Sequence, residues 1–414
     1  MIAAFSRVEF DMSGTEMMNT VKRLGAALLL LGASSSIAMA QGAACGGDFS
    51  AFIQGVRSEA IGRGLSQAGV DRALASVRQD PKVLQRDRAQ GVFQQAWLQF
   101  QGRMVNKNRL ANGKQRMQQY ASVFREVEAQ TGVPAAVITS FWGLETDYGA
   151  VLGDFDTLNA LATLSHDCRR PDLFRPHLMG AIALVDRGYL RPSEMRGAWA
   201  GELGQTQMLP EDYLAFGTDA DGNGRINLLT DVPDVLMTTG KFIQHLGWQR
   251  GQPWLEEVRL PADFPLDRAA LVSKEPRSNF AALGVTKADG TPLERDNVPA
   301  SIVLPQGRGG PAFLAFPNFD VYLTWNNSLV YALTAGYFGT RLAGAPAVHE
   351  GNPQPGLDGD QMKQLQQRLV ARGYDVGKVD GILGANTRAA IRQEQIRLGM
   401  PADGWPTRQL LSAL

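Results

Sequence analysis

The chain has 414 residues, with 41 Lys and Arg against 41 Asp and Glu, so its formal net charge is zero. That length suffices for two or three domains, and 44% hydrophobic residues is an ordinary globular composition. The charge balance excludes binding driven by net charge, whether to nucleic acid or to an anionic membrane surface.

Residues 1–40 read as an export signal. Lys22-Arg23 precede an apolar run from Leu24 to Ile37, and Ala38-Met39-Ala40 follow as an Ala-x-Ala site, which predicts cleavage after Ala40. The run is too short to span a bilayer. Glu9, Asp11 and Glu16 lie upstream and suit a start at Met17 or Met18 better than one at Met1. No other stretch is apolar enough to cross a membrane, so the mature chain is expected to be soluble and periplasmic. Two cysteines remain, Cys45 and Cys168. An oxidising compartment permits a disulfide between them; two unpaired thiols are the alternative.

Residues 48 to 248 read mostly as helix. Met117, Tyr120, Ala121, Phe124 and Val127 mark one amphipathic face, and Leu158, Leu161, Ala162 and Ser165 another. Between them, Pro134 to Gly149 predicts a helix that Pro opens and Gly stops. Ile138, Phe141, Glu145 and Tyr148 share one face, with Trp142 beside them. A carboxylate thus occupies a place reserved for apolar residues. Burial beside aromatic rings disfavours the ionised form and suits a general acid. On the pattern alone, a core Glu paired with a buried Arg stays equally open.

Gly201-Glu-Leu-Gly-Gln-Thr-Gln207 follows. Small residues at 201 and 204 let a ligand approach the backbone, and Gln205 and Gln207 can bond sugar hydroxyls or amides. A tight helix–helix contact is the bland alternative. Next, Asp219-Ala-Asp-Gly-Asn-Gly-Arg-Ile-Asn227 matches the first nine positions of an EF-hand calcium loop. Asp219, Asp221, Asn223 and the Arg225 carbonyl are the oxygen donors, and Gly224 takes the sharp turn. Position twelve is Thr230, so the bidentate ligand must be Asp231 or Asp234. An ion-free loop of Asx turns is the alternative.

From Trp254 to Leu304, short apolar groups alternate with Pro, Gly and Asp. Val258–Leu260, Ala282–Val285 and Ile302–Leu304 read as strands. Trp325-Asn-Asn-Ser-Leu-Val-Tyr331 mixes aromatic faces with amides, as sugar sites do, though a helix N-cap with core aromatics is the commoner explanation. Helix resumes over 327–343. Residues 344–357 form a Pro- and Gly-rich linker. Residues 358–414 form a three-helix module with an internal echo: Asp380-Gly381 before Thr387-Arg388, and Asp403-Gly404 before Thr407-Arg408. Such a linker predicts a module that folds independently.

Five segments, in this order, resemble the lytic transglycosylase B family of peptidoglycan-cleaving enzymes. They are Phe141–Gly149, Leu158–Leu164, Trp199–Gln207, Asp219–Asp234 and Trp325–Tyr331. Residues 358–414 resemble a small peptidoglycan-binding module through Leu365–Leu369, Gly373-Tyr374, Val379–Gly381, Gly384 and Thr387-Arg388. The resemblance implies a mainly α (α+β) fold: a lysozyme-like helical core over 41–343 with a small strand-containing insertion, then the module. It implies that Glu145 is the sole acid/base. Glu145 would protonate the oxygen between N-acetylmuramic acid and N-acetylglucosamine, then assist the C6 hydroxyl in attacking C1 to leave a 1,6-anhydro end. The substrate acetamido group would take the role of a second carboxylate. It also implies calcium at Asp219, Asp221, Asn223, Arg225 (carbonyl) and Asp234, and sugar contacts from Gln207, Asn326 and Tyr331. Gln205 and Trp325 join them as candidate substrate residues. Three positions depart from the family: Ala198 stands where a Ser supports the catalytic Glu, Trp325 replaces a Tyr, and Glu202 replaces an Ala. Glu202 keeps open a hydrolytic muramidase with two carboxylates. From another class, a non-catalytic wall-binding scaffold predicts binding to sacculi without release of fragments. The histidines argue against a zinc peptidase, because none of His166, His177, His245 and His349 has His-x-x-x-His spacing.

Overall fold

The computed structural model describes residues 45–89, 95–271 and 273–414; the export-signal reading of residues 1–40 lies outside the described residues. Helix Ala135–Thr146 is the axis of the fold. Every residue from Ala136 to Thr146 is buried, because the sequence is apolar or small on all sides and such a helix needs neighbours all round. The expected single apolar face is therefore too modest. The helix also stops earlier than its spacing suggests: Tyr148 lies beyond it, in left-handed backbone.

Helix Leu329–Leu342 packs along this axis, and Lys107–Gln119, Ala121–Thr131 and Val232–His245 complete its surroundings. Thr157–His166, buried at every position, packs against Pro171–Asp186. Asp156 caps the former by accepting the Asn159 N–H at 2.9 Å. Cys45 and Cys168 are joined by a disulfide with Cα atoms 5.2 Å apart, which ties the first described residue to the loop after His166.

Among the described residues, seven short strands follow two patterns. β1 (Phe155–Asp156) pairs with β2 (Arg196–Gly197). β3 (Leu255–Arg259), β4 (Glu275–Pro276), β5 (Thr286–Lys287), β6 (Pro299–Val303) and β7 (Ala312–Ala315) form an antiparallel sheet in the order β4-β6-β7-β3-β5. Its register sets Val258 opposite Ala312 and Ile302 opposite Leu314. One face of the sheet covers its own apolar cluster of Val258, Phe264, Phe280, Ile302 and Phe316. Two expectations change here. Ala282–Val285 is not a strand; it ends helix Arg277–Ala282, and Gly284 at φ 80° turns the chain out. Helix Pro317–Trp325 and strand β7 were not foreseen, because Gly and Pro crowd residues 305–317 and mask the short period.

The C-terminal three helices, Gly359–Ala371, Ala385–Arg397 and Arg408–Ala413, enclose a third cluster around Leu365, Leu369, Ile391 and Leu410. The sequence echo is structural. Gln366 Oε1 accepts the Gly381 N–H at 2.8 Å, and Gln395 Oε1 accepts the Gly404 N–H at 2.8 Å. The two repeats differ in their caps: Ala385–Arg397 starts at Gly384 without a side-chain cap and holds Thr387 inside it, whereas Thr407 caps Arg408–Ala413. Residues 345–358 carry no helix or strand, but they are not a free tether. Asn352 N–H donates to Gly309 O at 2.7 Å, and the Trp405 indole of the module donates to Gln354 O at 2.9 Å.

Candidate active site

Glu145 sits in the last turn of the axial helix and is 1% exposed. Its Oε1 accepts two hydrogen bonds, from Trp325 Nε1–H at 2.9 Å and from the Tyr331 hydroxyl. Both donors come from one corner. Trp325 ends helix Pro317–Trp325, Asn326 Oδ1 accepts the Ser328 N–H, and Ser328 caps Leu329–Leu342 by accepting the Tyr331 N–H. The N-cap reading of this segment and its functional reading are thus the same geometry. Trp325 is fixed in place by a stacked Phe141 ring, with centroids 4.2 Å apart, and by the edge of Phe242. Burial penalises charge on the carboxyl, while two donors at Oε1 offset part of that penalty. With Oε1 already accepting twice, a proton on this carboxyl belongs on Oε2. Burial, reinforced by the Glu145 carboxylate, holds the Tyr331 phenol well above its ordinary pKa, so Tyr331 remains a donor throughout.

The helix end is unusual. Asp147, Tyr148 and Gly149 follow Thr146 with φ of 52°, 62° and 85°. Left-handed backbone costs a non-glycine residue about 1–2 kcal/mol, so surrounding contacts must hold this turn. Thr146 Oγ1 donates to Gln205 O at 2.5 Å and accepts the Gly149 N–H at 2.9 Å. Arg109 Nε–H donates to Asp147 Oδ1 at 3.0 Å. The Tyr148 ring fills space beside Gly113 and Gly143, where an added Cβ would lie 2.6 Å from its hydroxyl and 2.8 Å from Cζ respectively. Nothing in the local pattern pointed to Arg109 or to this turn.

The turn after Gly201 lies against the helix end. Gln205 spends both ends of its amide on the protein, accepting Trp142 Nε1–H at 2.8 Å and donating to Leu229 O at 3.0 Å. That assigns it to holding the helix rather than to meeting sugar. Gln207, at φ 51°, donates to Leu152 O and Gly204 O. Among the described residues its Oε1 is buried without a protein partner, and so is Asn326 Nδ2. These two atoms offer a ligand one acceptor and one donor. Ala198 contributes only backbone atoms, its N–H donating to Glu202 O at 2.9 Å and its carbonyl accepting the Gly201 N–H at 3.2 Å; Trp325 and Tyr331 donate to Glu145 instead. Glu202 is 4% exposed in the same turn.

In the acidic loop, one carboxylate oxygen each of Asp219, Asp221 and Asp234 lies within 4.8 Å of the others. Asp219 also accepts the N–H groups of Gly222, Asn223 and Gly224. Asp231 serves instead as N-cap of Val232–His245. The Asn223 amide bridges Asp221 and Asp231, and the Arg225 side chain turns to Glu194. Burial first, then neighbouring carboxylates, pushes the Asp231 and Asp234 carboxyls above their ordinary value. Hard oxygen donors whose charges oppose one another fit a divalent cation.

Comparison with known proteins accords with this arrangement. Residues 48–340 match the family model described as the transglycosylase SLT domain, and residues 358–414 match that of a peptidoglycan binding domain. The membrane-bound lytic murein transglycosylase B of Escherichia coli K12 is 28% identical over 251 residues, which are 60% of this chain and 68% of that protein. SltB3 from Pseudomonas aeruginosa, solved in complex with NAG-anhNAM-pentapeptide, is 36% identical with a TM-score of 0.83, covering 89% of this chain and 99% of its own. The E. coli lytic transglycosylase Slt35, solved in complex with calcium, is 26% identical with a TM-score of 0.61, covering 72% of this chain and 95% of its own. With its lysozyme-like helical core, strand insertion and peptidoglycan-binding module, the chain belongs to the transglycosylase SLT domain family, the peptidoglycan lytic transglycosylases.

Proposed function

We propose that this lytic transglycosylase cuts the bond between N-acetylmuramic acid and N-acetylglucosamine with Glu145 as its only acid/base. The observation that carries the reading is the pairing of Trp325 and Tyr331 on one oxygen of a buried carboxyl. In the first half, Glu145 Oε2 gives its proton to the glycosidic oxygen, and the C1–O bond breaks with its electron pair leaving on that oxygen. The substrate acetamido group supports the positive charge at C1. In the second half, the Glu145 carboxylate takes the proton of the muramoyl C6 hydroxyl while O6 bonds to C1. The proton returns to Glu145, no water is consumed, and a 1,6-anhydro end remains. The ligand of SltB3, with its anhydro end, favours the same product here. Gln207 and Asn326 supply sugar contacts through their unpartnered buried atoms.

Calcium is the proposed ion, held by Asp219, Asp221 and Asp234 with Asn223 and the Arg225 carbonyl; it would supply rigidity and take no part in the bond changes. The protein is proposed to be exported to the periplasm, where its substrate lies. Among the described residues no helix is long and apolar enough to cross a membrane. Mass spectrometry of fragments released from purified sacculi tests the reaction. Anhydromuramoyl ends, one water lighter than reducing ends, are expected. Reducing ends would replace the transglycosylase reading with a muramidase, and binding without release would leave a scaffold.

A further inference from the structure

We propose that Arg109 is a positioning residue for this reaction, acting on Glu145 through the left-handed turn that ends the axial helix. The proposal rests on Glu145 being the acid/base. Arg109 lies 38 residues before Asp147, on helix Lys107–Gln119, and meets the turn by two bonds, with a third bond anchoring its guanidinium. Its Nε–H donates to Asp147 Oδ1 at 3.0 Å. Its Nη1 donates to Met104 O at 2.6 Å, which fixes the guanidinium from behind. Its own carbonyl accepts the Tyr148 hydroxyl at 2.6 Å. One residue thus grips both left-handed non-glycine positions of this turn.

An exposed ion pair usually contributes little, and the bland reading of Arg109–Asp147 is such a pair. Two features argue for more. The Arg109 side chain is only 17% exposed. And the pair sits where the backbone has a choice: at 147 and 148 right-handed or extended conformations are intrinsically preferred, and either would redirect the chain just after Thr146. Thr146 is bonded on both sides, to Gln205 O and to Gly149 N–H, so a redirected turn pulls on the residue next to Glu145. The same helix also supplies Gly113, the only kind of residue that leaves room for the Tyr148 ring. The grip and the space for it come from one element.

The test separates backbone positioning from general stability and from sugar contact. Arg109→Met is expected to lower kcat on a soluble muroglycan by roughly 10- to 100-fold, the scale of a small displacement of a catalytic group, with KM nearly constant. Adding Asp147→Gly should restore most of that kcat, because glycine takes left-handed backbone without a clasp. Arg109→Lys should fall between. If Arg109→Met does not fold, the half-exposed Asp147 decides alone: both Asp147→Ala and Asp147→Gly delete the ion pair, and Gly should retain far more kcat than Ala. A lower melting temperature at unchanged kcat, a rise in KM that Asp147→Gly does not rescue, or equal activity of the Ala and Gly variants would each overturn the proposal. Glu145→Gln run alongside keeps the two readings apart: an active Glu145→Gln removes the acid/base assignment, whereas an inactive one without the Asp147 rescue removes only the role of Arg109.

Discussion

Trp325 and Tyr331 both donate to Oε1 of Glu145, and neither is replaceable by its other packing contacts. Phe at 331 keeps the ring and removes the donor, and Phe at 325 keeps an aromatic face, though a smaller one, and removes the donor. A hydrogen bond to a charged group is worth about 1.5–3 kcal/mol, and the proposed reaction requires a charged Glu145 in its second half. Tyr331→Phe and Trp325→Phe are therefore each expected to lower kcat by roughly 10- to 100-fold, with folding intact by circular dichroism. Glu145→Gln deletes the transferable proton itself. A general acid–base group contributes about 10²–10⁴-fold, and a sole one belongs at the top of that range or above it. Glu202→Gln should cost far less, because in the proposed reaction the acetamido group takes the second role. Equal damage from both Glu variants, together with reducing products, would move the assignment to a two-carboxylate hydrolase. A carboxylate interrupting an apolar helix marked Glu145 in the sequence, but that pattern left a core ion pair equally open, and the family resemblance pointed to the acid/base reading. The function of Trp325 was not legible, since an indole beside amides looks alike whether it meets a sugar or a carboxyl. Arg109 was invisible for a different reason: its partner is 38 residues away and no periodicity links them.

At the scale of elements, the acidic loop and the axial helix are joined through one residue. Gln205 accepts from Trp142, and its carbonyl accepts from Thr146, on the helix side. On the loop side its N–H donates to Leu228 O at 2.8 Å and its amide to Leu229 O. Ordering the loop therefore steadies the helix end. Calcium should raise the melting temperature, and Asp219→Ala or Asp234→Ala should abolish the rise; identical melting with calcium and with chelator would count against the ion. The pH dependence has a sign. The Asp231 and Asp234 carboxyls lie above their ordinary value in the folded loop, so the ion-free protein gains from their protonation in acid and loses that gain as pH rises through the folded values. The calcium-induced rise should accordingly grow from acid toward neutral pH, which calorimetry with and without chelator would read. The loop itself was legible because ligand spacing is local chemistry. Helix Pro317–Trp325 was not, because its signal is short and its stability comes from packing onto the axial helix rather than from its own pattern.

For the whole molecule, the joint between body and module matters more than the linker composition suggests. Helix Ala385–Arg397 sends two guanidinium groups into the body: Arg388 donates to Leu304 O at 3.3 Å and to Pro305 O at 2.9 Å, and Arg392 donates to Ala269 O. Asp403 of the second Asp-Gly turn accepts the Arg308 N–H at 3.0 Å. These acceptors are main-chain atoms beside the sheet, which orient the module without depending on side chains of the body. A freely tethered module could be removed without disturbing what remains. A docked one cannot, and the carbonyls it leaves behind lose their partners at about 1–3 kcal/mol each where they stay buried. Truncation after Gly344 is thus expected to weaken sacculus binding and also to lower the melting temperature of the residual body. Cleavage of short soluble glycans should persist, because the Glu145 cluster draws on residues no later than Tyr331. In the full chain, Arg388→Ala with Arg392→Ala should increase proteolysis within 345–357 while sparing kcat on the same short glycans. An unchanged melting temperature after truncation, with the linker of the double variant no more accessible to protease, would show a module that is tethered rather than docked.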